Sequence, residues 1–416
     1  MLPPMRLPER GRATGEVLEA LEDLRAGDVD WRSGRAFTLA YNAGPEVLEL
    51  AREAYGRFSS ENALNVDAFP SLRKLQADVI GMLAELLHGG PEAAGFMTTG
   101  GTESLLMAVL AARERGRAER GVTAPEIVLP TTAHAAFEKA AHYFGVRSVR
   151  VPVRDDWRAD AEAMAAAVSP NTVLLVASAP QYPQGVIDPV SAVAAVAEQA
   201  GVPCHVDACM GGMTLPFLER LGEPVPAWDF RVPGVSSISV DLHKYGYTAK
   251  GASVILHRTK ALRRFQTFQT DNWLGGLYAS SGVLGTKSGG AIAAAWAVLH
   301  HLGEEGYLRL VRSARETCLK IAAAIRALPG AVLLAEPDAT LLAFRFEDAD
   351  PFAVGDALRK RGWYLDRQAP PPSLHATVNA VHAGVADAFL RDLAAAAGEV
   401  RDAAARGERG AYGTLE

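Results

Sequence analysis

Between residues 126 and 257 the chain alternates two kinds of stretch, and this alternation limits the fold more than any other feature. Short runs rich in apolar and β-branched residues, at 127–129, 149–151, 173–178, 203–206, 235–240 and 253–257, read as strands. Between them, 133–144, 159–168, 190–200 and 215–221 carry apolar residues at helical spacing. Strand and helix repeated in this way close as a mostly parallel sheet covered by helices, so the expected class is α/β. In such sheets ligands bind in the crevice beyond the carboxyl ends of the strands. The residues that follow each strand are therefore the first place to look for chemistry.

The flanks read differently. Residues 1–70 look like an arm with short helices at 15–25 and 47–58 and an extended piece, 37–42, that contains Tyr41. A long amphipathic helix is expected at 71–87, where Leu72, Leu75, Val79, Met82, Leu83 and Leu86 share one face. It opens a large domain, 71–302, whose last helix is expected at 291–302. A smaller α+β domain, 303–416, should follow, since 416 residues are too many for one simple core. In it we expect helices at 307–328, 351–361 and 385–401, and strands at 332–334, 341–346 and 363–365. A proline-rich loop is expected at 368–375, and 403–416 should lack fixed structure.

Three loops supply reactive groups. His243-Lys244 follows the strand at 235–240, and a lysine held between strands can act as a nucleophile toward a carbonyl. Asp207 ends the strand at 203–206. Gly100-Gly101-Thr102 opens a helix; the glycines let backbone amides approach an anion, Thr102 is placed to cap the helix, and the helix dipole favours phosphate. Taken singly, these are a solvated lysine, a strand-end carboxylate and a capped glycine turn. Together they are the parts that pyridoxal phosphate requires: a Schiff-base lysine (Lys244), a carboxylate for the pyridine nitrogen (Asp207), and donors for the phosphate (Gly101, Thr102 and His243).

These stretches, with Asp30-Trp31-Arg32-Ser33-Gly34, Ala68-Phe69-Pro70-Ser71-Leu72-Arg73-Lys74, His134-Ala135-Ala136-Phe137 and Pro371-Pro372-Ser373-Leu374-His375, resemble the pyridoxal-phosphate-dependent group II decarboxylase family. Within it they look most like sphingosine-1-phosphate lyases. The resemblance implies fold type I, the aspartate-aminotransferase-like arrangement, working as a homodimer with a shared active site. It implies that His134 stacks on the cofactor ring, that Tyr41 and Tyr182 line the site, and that Gly285 and Thr286 donate to the neighbour's cofactor phosphate. It also implies that Lys250, six residues past Lys244, binds a substrate phosphate. One position departs from the pattern: Asn65 stands where such lyases carry a histidine near that phosphate. The implied reaction is cleavage of the Cα–Cβ bond of a phosphorylated long-chain amino alcohol, giving an aldehyde and phosphoethanolamine. Two alternatives stay open on the residues alone: an amino-acid α-decarboxylase and a non-enzymatic carrier of the cofactor.

Composition excludes several other classes. With 42 basic and 48 acidic side chains the net charge is −6, and no long run of one sign offers itself to nucleic acid. The three cysteines, Cys204, Cys209 and Cys318, provide no disulfide framework and no zinc site, which fits a reducing cytoplasm. The uncharged run 163–187 is broken by Pro170, Pro180 and Pro183 and is not a membrane span. Eukaryotic lyases of the resembled kind carry an N-terminal membrane helix; the proline- and arginine-bearing N-terminus here has no such apolar stretch, and a soluble cytoplasmic protein is expected.

Overall fold

The computed structural model, which describes residues 6–403, 405–408 and 410, turns the expected alternation into one seven-stranded sheet. The arm contributes α1 (Thr14–Leu24) and α2 (Pro45–Arg57). The large domain then runs α3 (Pro70–Leu86), β1 (Ala94–Thr98), α4 (Gly101–Arg120), β2 (Glu126–Pro130), α5 (Ala136–Phe144), β3 (Arg147–Val151), α6 (Ala161–Ala166), β4 (Thr172–Ser178), α7 (Val190–Gln199), β5 (Cys204–Asp207), α8 (Leu215–Arg220), β6 (Val235–Val240) and β7 (Ser253–His257). Next come α9 (Lys260–Arg263), a small hairpin of β8 (Phe268–Thr270) and β9 (Tyr278–Ser280), and the long α10 (Gly290–Ala327). The small domain holds β10 (Ala331–Leu333), β11 (Leu341–Phe346), α11 (Pro351–Lys360), β12 (Asp366–Gln368), β13 (Ser373–Thr377) and α12 (Ala386–Ala403).

In the large sheet the order is β1-β7-β6-β5-β4-β2-β3. Only β7 runs against the others, pairing antiparallel with β1 and β6. Every residue of β4 is buried, as expected of a central parallel strand covered on both faces. On one face α3, α7, α8 and the first half of α10 close the larger core; on the other, α4 and α5 close a second. Because six strands share one direction, the chain leaves β1, β2, β4, β5 and β6 at the same edge.

The small domain is a four-stranded antiparallel sheet, β10-β11-β13-β12, packed on α11, α12 and the second half of α10. The helices expected at 291–302 and 307–328 are the two halves of α10. They meet at Gly303 (φ 54, ψ −172), a conformation reserved for glycine, and past the bend Tyr307, Leu310 and Val311 still pack in the larger core. The arm is stitched into this domain. Phe37 donates its N–H to Tyr364 O at 2.9 Å, and its carbonyl accepts from Thr377 N at 2.6 Å. Its ring stacks on His382, with centroids 4.1 Å apart, and meets Phe389 at 4.4 Å.

Several expectations need correction. Residues 363–365 form no strand; Tyr364 makes one bridge to Ala36, and the strand begins at Asp366. Trp363 and Leu365 are apolar because they are buried in the small core. The proline-rich loop expected at 368–375 already contains β13 from Ser373. Thr102 does not cap α4: the helix begins at Gly101, with Gly100 at the N-cap and Thr102 inside the first turn. The helix expected from residue 133 starts at Ala136, where the His134 ring nitrogen Nδ1 accepts the Ala136 N–H at 3.1 Å. The end expected to lack structure is partly docked, with Glu408 N donating to Asp356 and Glu408 O accepting from Arg367. Residues 404, 409 and 411–416 of that end lie outside the described residues, as do residues 1–5 of the N-terminus.

Candidate active site

Each of the five strand ends delivers a residue to a single cleft of about 540 Å³. The turn after β1 brings Gly100, Gly101 and Thr102. The turn after β2 brings His134, and the one after β4 brings Tyr182. Asp207 ends β5, while Asp241, His243 and Lys244 follow β6. Tyr41 from the arm and Lys250 from the approach to β7 complete the wall.

The corner at Gly101 is tightly fitted. A methyl group there would lie 2.6 and 2.9 Å from the Asp241 carboxylate oxygens and 2.9 Å from Cys209 Sγ. Lys244 Nζ sits 3.0 Å from Asp241 Oδ2, and Ser253 Oγ donates to Asp241 Oδ1 at 2.5 Å. Burial works to raise the Asp241 carboxyl, but the Lys244 charge, the neighbouring His243 imidazole and the Ser253 hydroxyl outweigh it and hold the group below its ordinary value. Asp241 was not singled out in the sequence; its spacing three residues before Lys244 is the only signal it offers. Glu103 was missed as well. It is buried, accepts from Thr99 N and Oγ1 at 2.7 Å each, and accepts from Val283 N at 2.8 Å, so it ties the turn and a distant loop to one wall.

Asp207 forms another wall. It is buried, and its Oδ1 accepts from Cys209 N at 3.1 Å and from Ser239 Oγ at 3.3 Å. His134 and His243 both have their pKa lowered, chiefly by burial, with nearby aspartates opposing; both rings are therefore neutral at pH 7. The His243 Nδ1 atom is buried and finds no hydrogen-bond partner among the described residues. Burial, helped by the Lys244 charge and opposed by Asp241, draws the Lys250 ammonium down to about 8 although solvent reaches it from the cleft. It lies 5.1 Å from the Tyr41 ring centroid. The Tyr182 hydroxyl donates to Asp366 Oδ2 at 2.5 Å, and its ring packs 4.1 Å from His375, so Tyr182 joins the cleft to the small domain.

Three expected residues are not brought to this cleft within one chain. Asn65 is exposed, and its Oδ1 accepts from Asp67 N at 3.0 Å. Gly285 has open space around it, and Thr286 Oγ1 accepts from Asn62 Nδ2 at 3.3 Å. Among the described residues no group of His, Cys, Asp or Glu is arranged to hold a metal ion, and no helix is long and apolar enough to cross a membrane.

Residues 2–347 match the pyridoxal-dependent decarboxylase conserved domain. Rat sphingosine-1-phosphate lyase 1 is 42% identical over 390 residues, covering 93% of this chain and 68% of that protein. The solved structure of sphingosine-1-phosphate lyase from Burkholderia pseudomallei is 42% identical, with a TM-score of 0.92 over 97% of this chain and 94% of that one. Glutamate decarboxylase from Lactobacillus brevis, 22% identical, shares the fold with a TM-score of 0.84 over 96% of each chain.

Proposed function

The chain belongs to the pyridoxal-dependent decarboxylase family, and we propose that within it this pyridoxal phosphate-dependent enzyme is a carbon–carbon lyase. It cleaves the Cα–Cβ bond of a phosphorylated long-chain amino alcohol of the sphingosine-1-phosphate kind, releasing an aldehyde and phosphoethanolamine. One observation carries this reading: the 42% identity to sphingosine-1-phosphate lyases extends over nearly the whole chain.

The residues present fit the cofactor. Gly101 leaves a cradle at the N-terminus of a 20-residue helix that a Cβ would fill, and the unpartnered His243 Nδ1 is a polar atom awaiting a ligand. When bound, pyridoxal phosphate supplies an aldehyde that takes the substrate amine and a ring that accepts the electron pair freed by bond cleavage. Lys244 Nζ would hold the aldehyde carbon and, once displaced, carry protons at the same place. Asp207 would keep a proton on the ring nitrogen, because a carboxylate within hydrogen-bonding reach favours the charged pyridinium. The amides at Gly101 and Thr102, with His243, would bind the phosphate. His134, kept neutral by burial, would lie flat against the ring. Lys250 would take the substrate's phosphate, with Tyr41 and Tyr182 orienting the reacting end.

The protein works as a homodimer in which Gly285, Thr286 and Asn65 reach the partner's cleft. Their exposure outside their own cleft supports this, as do the exposed Phe268, Trp273, Leu274 and Leu277 on the same loop, apolar surface that a second copy would cover. Three buried free cysteines suit a reducing cytoplasm.

The test is a product assay on two substrate sets. Aldehyde from phosphorylated amino alcohols is the expected result. Carbon dioxide from amino acids, with no aldehyde, would replace the lyase by an α-decarboxylase. An absorbance of the bound cofactor that no amine perturbs would leave only a carrier.

A further inference from the structure

Strand register places four polar side chains in one buried row. His205 and Asp207 lie two apart on β5 and so share a face; their partners across the ladder are Ser237 and Ser239 on β6. All four are buried. His205 Nδ1 lies 2.8 Å from Ser237 Oγ, and His205 Nε2 lies 3.3 Å from Ser239 Oγ. Ser239 Oγ in turn lies 3.3 Å from Asp207 Oδ1 and receives Cys209 Sγ at 3.4 Å.

We infer that Ser239 and His205 are positioning residues for Asp207, joined in a directed hydrogen-bond chain that keeps the carboxylate aimed into the cleft. An ionised carboxylate only accepts, so the single Ser239 proton goes to Asp207. Ser239 then has no proton left for His205 Nε2, so that contact is a hydrogen bond only when His205 carries its proton on Nε2. His205 Nδ1 is left as an acceptor, and Ser237 supplies that proton. One assignment satisfies every group in the row. A neutral ring is what the chain needs, and burial draws the His205 pKa down to about 4. The proposal rests on the reading that Asp207 faces the cofactor's ring nitrogen.

The test titrates the full-length chain, stripped of cofactor, with pyridoxal phosphate and with its 1-deaza analogue, in which a C–H replaces the ring nitrogen. Native protein should prefer pyridoxal phosphate. Ser239→Ala and His205→Leu should each cut that preference about tenfold, the scale of one hydrogen bond to a charged group, and leave affinity for the analogue unchanged. His205→Gln, which keeps a donor facing Ser239, should retain the preference to within about threefold. Equal loss for both ligands would reduce the row to packing and overturn the inference, as would an undiminished preference in both variants. A native protein without preference would overturn the Asp207 reading and the chain's purpose with it. Nitrogen-15 spectra of histidine-labelled native protein test the chain independently and require no variant to fold. Expected is a neutral His205 ring protonated on Nε2; protonation on Nδ1 would refute the assignment even where Asp207 keeps its role.

Discussion

Replacing Gly101 by alanine should remove cofactor binding more effectively than any other single methyl group in the cleft. Its Cβ would stand 2.6 Å from an Asp241 oxygen, whereas ordinary contact begins at 3.4 Å, so the first turn of α4 must give by about 0.8 Å. Neither neighbour can easily retreat, since Asp241 is fixed by Lys244 and Ser253 and Cys209 is buried. Overpacking of this kind costs about 1–3 kcal/mol, and alanine's better helix propensity returns at most about 1 kcal/mol. The same displacement moves the amide donors away from the phosphate. Losing one charge-assisted bond costs about 1.5–3 kcal/mol, or about 10- to 150-fold in affinity. Gly100→Ala is the control. Gly100 is extended (φ 167), and its Cβ would meet only His243 Cε1 at 3.7 Å, so affinity should stay within about threefold of native. Titration of the stripped protein with pyridoxal phosphate, followed by absorbance and thermal melting, measures both variants. Native affinity in Gly101→Ala, or equal loss in the two, would refute the cradle.

Three further outcomes are expected. Lys250 is charged below about pH 8 and neutral above it, so KM for a phosphorylated substrate should be flat below that pH and rise above it; Lys250→Met should raise KM and abolish the dependence, and a flat native profile across pH 8 would remove Lys250 from phosphate binding. Asn65→His should lower KM at about pH 6, where histidine is charged, by reaching the partner's cleft, and unchanged kinetics between about pH 6 and pH 8 would exclude that reach. Gly303→Ala should cost about 1–3 kcal/mol in chemical denaturation, because φ 54 with ψ −172 is open to glycine alone; unaltered stability would mean that the bend moves freely.

Where apolar side chains recur along a strand, the sequence was readable to the residue: β6, β7 and β11 have the expected bounds even though buried serines and a histidine stand within β6 and at the ends of β7. It misled where prolines and polar residues crowd a strand. Ser373, His375 and Thr377 of β13 are all buried, with His375 and Thr377 bonded to each other, so prolines and polar letters hid a strand. Beside it, Trp363 and Leu365 mimicked a strand because core filling and strand pairing draw on the same residue types. Asp207 and Lys244 were legible because topology places strand ends together, whereas His134 was marked only by the family resemblance. Asp241 and Glu103 were not, since their importance lies in contacts across the sheet, Asp241 to Ser253 and Glu103 to Val283. The exposed β8–β9 hairpin, three residues a strand, left no hydrophobic pattern to follow.

The seam at Phe37 sets an order of assembly. Phe37 and Tyr41 leave the ribosome well before Trp363, His382 and Phe389, the aromatic residues against which Phe37 is seated. Domains emerging in sequence fold as they appear, so the large sheet, with Lys244 and Asp207 in place, is built while the arm still lacks its anchor. Until synthesis has passed Phe389, Tyr41 has only its large-domain contacts, among them the Tyr245 ring at 5.1 Å, to hold it. A ribosome stalled between the two sheets thus leaves a chain with Lys244 in place and the arm beside it without its Phe37 anchor.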